Sequence, residues 1–440
     1  MAVNVNVPPT TPRRKIDKVA LVFSGGPAPA ANAVISTCAV SFLRNGSQVV
    51  GLRHGYSRVL EYDPQSHPLQ EGRDFIPITH QTLKRTRNTG GILIGTARAN
   101  PGQGVDSPAD LKNERAVAGL KTVYDALRSI GVDALVSIGG DDTLRTANKF
   151  KLFQDHWVKD PAERIPVVHV PKTIDNDYDG IDFTFGYFTA AEFLAQCVRN
   201  ILADAEAGAN YFICEVMGRN AGWLAYATGI AGEASLTLSV EDLDDDLLTT
   251  EEFEDEKTKQ KKTRVIMQID KVVDLIVDKM LLREAEGKEY GVVVMAEGMA
   301  LKMPKEHLEG IKLDPFGHPK ISEVQLGKKF AELVAERYQE RTGREREVKS
   351  VQLGYEARCA RPQAYDVLLG SQLGVGAFRA LAEHGLDGHM VSVHGQFELR
   401  YVPFEELVNP ENLVTRVRFV KPGSDFHRLV RFLETYNANT

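Results

Sequence analysis

Two short segments carry residue types suited to moving a phosphoryl group: Gly139-Gly140-Asp141-Asp142-Thr143 and Pro171-Lys172-Thr173-Ile174-Asp175-Asn176-Asp177. Glycine turns let backbone N–H groups approach an anion, aspartates hold a divalent metal or accept a proton, and a lysine offsets negative charge. Each segment follows a short apolar run, Ala134 to Ile138 and Ile165 to Val170, that reads as a buried strand. Open α/β sheets bind ligands outside the carboxyl ends of such strands. Taken alone, the second segment also has the composition of a structural Asx turn, and Asp142 also suits the cap of a helix beginning near Thr143.

The elements around these segments repeat one arrangement. Lys18 to Phe23 is an apolar run that ends in Ser24-Gly25-Gly26, with a helix expected from about Ala30 to Asn45. Val117, Leu120, Val123, Leu127 and Ile130 recur at helical spacing, which predicts an amphipathic helix over Asp110 to Ile130 stopped by Gly131. Tyr211 to Val216 leads into Met217-Gly218-Arg219-Asn220 and a helix through Gly222, Trp223 and Ala227, and Gly291 to Met295 leads into Ala296-Glu297-Gly298. Five strands thus aim their carboxyl ends at short polar loops, the pattern of a mainly parallel sheet covered by helices. A chain of 440 residues with 43% hydrophobic content exceeds one core, so two domains are expected.

Composition excludes several classes. A formal net charge of -7 gives no general attraction to nucleic acid or an anionic membrane, and no window reaches the roughly eighteen apolar residues of a spanning helix. The opening MAVNVNVPPTTPRRK lacks a signal-peptide core and reads as a flexible tail. Cys38, Cys197, Cys214 and Cys359 are widely spaced without a CxxC pair, which argues against a zinc or disulfide framework and for a reducing, cytoplasmic setting. Ser24-Gly25-Gly26-Pro27 lacks the GxGxxG spacing of a dinucleotide-binding oxidoreductase. Acidic Glu241 to Glu256 followed by basic Lys257 to Arg264 reads as an exposed insertion or a helix pair joined by solvated charges. From His394 onward no chemical motif stands out, and the expected role is packing.

GGDxT followed by PxTIDND resembles the phosphofructokinases, and the resemblance runs from about Lys18 to about Asp366. It implies two Rossmann-like α/β domains with mainly parallel sheets and an active site in the cleft between them. Residues 1–15 would be a tail, 16–186 plus 354–410 the donor domain, and 187–353 plus 411–440 the sugar-phosphate domain with a charged insertion at 241–264. It also implies roles for individual residues. Asp175 matches the general base that takes the proton of the sugar's 1-hydroxyl, Asn176 and Asp177 would orient the turn or contact metal-bound water, and Thr173 would donate to a phosphate oxygen. Asp141 matches a magnesium-associated aspartate, Gly25 a glycine beside the donor phosphates, and Arg98 and Arg219 two arginines that neutralise the transferring group. Met217, Gly218 and Arg219 resemble the segment that packs on the sugar, Glu297 the acid that accepts from its hydroxyls, and Tyr355 and Arg358 the ligands of its 6-phosphate.

In this family, users of ATP carry glycine at the places of Asp142 and Lys172, whereas users of pyrophosphate carry aspartate and lysine. The resemblance therefore implies transfer from pyrophosphate to fructose 6-phosphate, with magnesium, in a homodimer or homotetramer. Charge agrees: two like charges about 4 Å apart cost roughly 1 to 4 kcal/mol between water and a protein surface, so a carboxylate at Asp142 would repel a nucleotide's third phosphate. An ATP-dependent kinase is the alternative donor reading. A catalytically silent regulatory subunit would be expected to lack Asp175, Lys172 or Arg219. Departures are Pro27 for an aspartate, Ala30 for a glycine, and Asn210 and Lys349 at the places of interface arginines, which imply little nucleotide-type regulation. A sugar 7-phosphate stays open as acceptor.

Overall fold

The computed structural model describes residues 13–254, 260–308, 311–312 and 320–435. The chain divides into two units, the first running to Thr173 and taking in Tyr178–Gly186 and Arg358–Arg416. The second holds Ile174–Asp177, Tyr187–Ala357 and the chain from Val417.

The first pass through unit 1 gives β1 (Lys18–Ser24), α1 (Ala31–Arg44), β2 (Gln48–Leu52), β3 (Phe75–Ile78), α2 (Ala118–Ser129), β4 (Ala134–Gly139), α3 (Asp141–Trp157) and β5 (Val167–Pro171). β2, β1, β4 and β5 lie side by side and parallel, with β3 antiparallel at the edge. Val19, Leu21 and Phe23 are fully buried, as are their neighbours Ala20 and Val22. Such near-continuous apolar runs form strands when helices cover both faces of a parallel sheet. Unit 1's expected helix over 110–130 begins only at Ala118. Ser107, Pro108 and Asp110 instead make a capped 3-10 turn, and exposed Lys112 to Arg115 offer no apolar face for a helix to bury.

Unit 2 continues with α4 (Tyr187–Gly208), β6 (Tyr211–Val216), α5 (Trp223–Gly232), β7 (Leu236–Leu238), β8 (Leu248–Glu254), β9 (Lys261–Met267), α6 (Ile269–Ala285), β10 (Gly291–Ala296), α7 (Leu326–Thr342) and β11 (Val348–Leu353). Its sheet has the order β11-β6-β10-β7, all parallel. The core gathers Met280, Phe330, Val334 and Tyr338 under this sheet.

The charged insertion is a two-stranded antiparallel ribbon, β8 with β9, and not a helix pair. Its register sets Glu251 opposite Arg264 and Glu254 opposite Lys261, and Arg264 Nε reaches Glu251 Oε2 at 2.7 Å. Opposite charges facing across strands stabilise a ribbon, which the acidic-then-basic sequence order encodes. Residues 255–259 of this insertion, like 1–12 of the expected tail, lie outside the described residues.

The chain then returns to unit 1 with α8 (Ala364–Phe378), β12 (His389–His394), β13 (Glu398–Pro403) and α9 (Phe404–Leu407). β12 joins β5 in parallel and β13 closes the edge antiparallel, completing a seven-stranded sheet. α8 packs on α1 through an edge-to-face pair, Phe42 and Phe378, with centroids 5.1 Å apart. A last helix, α10 (Asp425–Leu433), belongs to unit 2. The later crossings thus fall at Arg358 and Val417, against expected boundaries at 354 and 411, and the short Ile174–Asp177 segment goes with unit 2. No helix of the described residues is long and apolar enough to cross a membrane.

Candidate active site

In unit 1 the loops after β1, β4 and β5 converge because those strands are adjacent and parallel. Gly25 has φ 90°, a conformation favoured by glycine. A Cβ built there would stand 3.5 Å from Lys172 Nζ, and one on Gly140 would stand 3.7 Å from the same atom. The Lys172 amine therefore sits between the two glycine turns, on a side chain that is 7% exposed. Gly25's own N–H donates to Ala97 O at 3.0 Å, and Thr96 Oγ1 donates to Gly25 O at 2.6 Å. These bonds fasten the loop bearing exposed Arg98 to the β1 turn. What Gly25 offers a ligand is space for close approach.

Gly140 is the residue before α3, and Asp141 and Asp142 are its first two. Asp142 is thus inside the first turn and not the cap. Two carboxylates at the positive end of a helix dipole stabilise the helix, and the same end attracts an anion. Arg145 Nη1 stands 3.6 Å from Asp142 Oδ1. One turn further, buried Lys149 donates to Gly102 O at 3.1 Å. Burial, then the charge of Arg145, pushes the Lys149 amine down to about 8. Arg358, expected beside Tyr355, lies in unit 1 with its guanidinium 3.4 Å from where a Gly26 Cβ would be.

The chain leaves unit 1 after Thr173 and re-enters it at Tyr178. Tyr178 Oη donates to Gly139 O at 3.1 Å and meets His169 Nε2, also at 3.1 Å. His169 is fully buried, which pushes it down to about 3 and keeps it neutral. This pair braces the β4 turn from beneath.

The intervening residues Asp175, Asn176 and Asp177 belong to unit 2. Asn176 is fully buried and left-handed, with φ 56°, a conformation that asparagine tolerates. Asp177 Oδ2 accepts from Asn220 Nδ2 at 3.1 Å, which ties the turn to the Met217-Gly218-Arg219-Asn220 loop. That loop is packed against two others. Gly218 N donates to Glu297 Oε1 at 3.4 Å and Gly298 N donates to Gly218 O at 3.1 Å. A Cβ on Gly298 would come within 2.3 Å of Arg219 O, and one on Gly354 within 2.3 Å of Met217 Cγ. The Gly298 contact is with backbone and admits only glycine, whereas at Gly354 the Met217 side chain would have to shift. Met217, Glu297 and exposed Tyr355 line one small cavity of about 40 Å³.

Unit 1 therefore gathers Gly25, Arg98, Asp141, Asp142, Lys172 and Arg358, with Thr173 at its edge, and unit 2 gathers Asp175, Met217, Gly218, Arg219, Glu297 and Tyr355. Sequence reasoning missed Arg145 and Lys149, which follow Asp142 at helical spacing. It also missed Glu215, a buried β6 acid that accepts from Gly327 N and Gln352 Nε2 at 3.0 and 3.1 Å and is pushed up by burial. Among the described residues no group of three or more His, Cys, Asp or Glu side chains could hold a metal.

Parallel sheets with glycine, aspartate and lysine turns at their carboxyl ends define an α/β protein built to bind phosphoryl groups. The chain belongs to the phosphofructokinase family, whose model, described as Phosphofructokinase, matches residues 18–381. A pyrophosphate–fructose 6-phosphate 1-phosphotransferase of Thermotoga maritima is 30% identical over 424 residues, 94% of this chain and 90% of that protein. One of Naegleria fowleri is 32% identical over 423 residues, covering 94% and 86%. An ATP-dependent 6-phosphofructokinase of Corynebacterium efficiens is 30% identical over 413 residues, covering 93% and 99%. The fold is that of a pyrophosphate-dependent phosphofructokinase structure from Marinobacter aquaeolei, with TM-score 0.64 and 16% identity over 96% of this chain and 93% of that one.

Proposed function

We propose that this chain transfers a phosphoryl group from pyrophosphate to the 1-hydroxyl of fructose 6-phosphate, giving fructose 1,6-bisphosphate and phosphate. The observation that carries the donor is Lys172, its amine between Gly25 and Gly140, with Asp142 in the first turn of α3. The lysine suits a short polyanion, and the carboxylate bars a longer one.

Asp175 takes the proton from the sugar hydroxyl as its oxygen bonds to the near phosphorus. The bridging P–O bond breaks, and Lys172, Arg98 and Arg219 meet the charge on the departing and transferring groups. Met217, Gly218 and Glu297 hold the sugar, and Tyr355 its 6-phosphate. Arg358, which lies against Gly26, binds the 6-phosphate as well, and Thr173 donates to a phosphate oxygen. Magnesium keeps most of its waters and takes one or two carboxylates plus substrate oxygens. Asp141, in the first turn of α3, would supply one such carboxylate. When bound, the ion neutralises donor charge.

Initial rates of bisphosphate formation with magnesium, comparing pyrophosphate and ATP at equal concentration, test the reading. Product with pyrophosphate alone supports it. Product with ATP alone removes Asp142 and Lys172 as donor determinants, and product with neither removes fructose 6-phosphate as the acceptor.

A further inference from the structure

The turn that carries Asp175 is held by a residue from far down the chain. Arg418 Nη2 donates to Asn176 O at 2.8 Å across 242 positions of sequence, and Arg418 N donates to Asp177 O, also at 2.8 Å. One residue thus grips the two consecutive carbonyls that follow Asp175. Arg418 is itself fixed. Its guanidinium lies 4.9 Å over the Trp223 ring, a cation–π distance, and Trp223 Nε1 donates to Arg418 O at 2.9 Å. Trp223 opens α5 directly after the Arg219-Asn220 loop, stacks on Phe426 of α10 at 5.4 Å, and its carbonyl accepts from Tyr187 Oη at 3.2 Å. Two residues on, Val420 N donates to Glu241 Oε1 at 3.0 Å and its side chain is fully buried. The family match ends at residue 381, so Arg418 lies outside the part of the chain that defines the family.

We propose that Arg418 is a positioning residue for the phosphoryl transfer: it fixes the backbone of the Ile174–Asp177 turn so that the Asp175 carboxylate is presented to the acceptor hydroxyl. The inference rests on the reading of Asp175 as the base. A buried turn with a left-handed Asn176 would relax toward other conformations if its carbonyls lost their donors, since such conformations persist only where surroundings over-determine them. A misplaced base slows the chemical step while leaving substrate contacts elsewhere intact. The guanidinium also brings a positive charge to the turn that carries Asp175, and a nearby positive charge favours the ionised form of a carboxylate.

The test is steady-state kinetics of full-length Arg418→Gln, Arg418→Lys and Asp175→Ala, with whichever donor supports turnover, alongside thermal melting. Arg418→Gln should lower kcat at least tenfold with both KM values within about twofold of the wild type, and should move the acid limb of the pH profile upward. Arg418→Lys, which keeps the charge, should recover the pH limb and part of kcat. Trp223→Phe, which keeps the stacking ring and loses the bond to Arg418 O, should lower kcat less, and serves if Arg418→Gln does not fold. Unchanged kcat in Arg418→Gln, or kcat and both KM values worsening together with an unmoved pH limb, would overturn the positioning role. If Asp175→Ala keeps full turnover, the base assignment fails instead, and the two failures are told apart.

Discussion

Replacing Gly140 by alanine isolates what the glycine turns do for the donor. The backbone at Gly140 has φ -73° and ψ -175°, an extended conformation that alanine adopts without strain. Its new Cβ would meet only Lys172 Nζ at 3.7 Å and Lys172 O at 3.9 Å, ordinary contact distances. The fold should therefore lose only about 0.5 to 1 kcal/mol, the difference between glycine and alanine at a helix cap. With the donor placed as proposed, the methyl group would nonetheless stand between a phosphate oxygen and the lysine at the start of α3. Losing one charge-assisted hydrogen bond costs about 1.5 to 3 kcal/mol, which is roughly a ten- to hundredfold rise in donor KM. Gly25→Ala is the contrast. Its φ of 90° adds about 1 to 2 kcal/mol of strain for any residue with a Cβ, so its melting temperature should fall further, by a few degrees, with a similar rise in donor KM. The assay is initial rate against donor and against sugar phosphate in turn, with melting curves. A Gly140→Ala protein whose donor KM stays within twofold, or whose sugar KM rises instead, would refute placement of the donor between these turns.

Two other outcomes follow from the structure. Asp175→Ala should lower turnover by roughly 10²- to 10⁴-fold with both KM values changed only a few-fold, and single-turnover kinetics showing an unchanged chemical step would remove Asp175 as base. Glu434, buried where it accepts from Thr237 N and meets Arg431, is pushed up from 4.5 to about 7 by burial. Because the folded state holds its proton more tightly than the unfolded state, stability falls as pH rises from about 4.5 through about 7, by up to about 3 kcal/mol. Glu434→Gln should flatten that fall, read as urea midpoints at pH 5 and pH 8, and parallel curves for the two proteins would rule the carboxyl out as its source.

The strands and their loops were legible because each apolar run ends abruptly in glycine and acidic residues. Reading Ala134 to Ile138 and Ile165 to Val170 as strands of one mainly parallel sheet put Asp141, Asp142 and Lys172 at strand carboxyl ends, and the pairing of β4 with β5 then makes their loops neighbours. The start of α2 was misread because apolar spacing alone does not register that Ser107, Pro108 and Asp110 close a turn of their own. The insertion was read as an exposed segment or a helix pair, and its ribbon was missed because charge order was weighed without asking which residues would face one another across two strands. Arg145 and Lys149 become visible only once α3 is known to begin at Asp141, which puts them on Asp142's side of the helix. His169 and Glu215 look like strand filler in the sequence, since a buried polar residue declares itself only through its partners. Arg418 left no local trace at all: its contacts are 195 and 242 positions away, and pattern reading has no access to pairings at that range.

How the glycines act bears on where the donor's charge is met. Gly25's N–H is engaged with Ala97 O, so this turn offers an anion room and no hydrogen bond of its own from that atom. On the proposed reading, the start of α3 and Lys172 supply the attraction at these turns. The lysine is 7% exposed, and salt screens a buried charge much less than an exposed one. Exposed Arg98, by contrast, contributes a screened charge. Donor affinity should then keep a salt-insensitive share that belongs to Lys172 and the helix terminus, and lose with rising ionic strength the share that belongs to Arg98. This division follows from burial, whichever donor the protein uses.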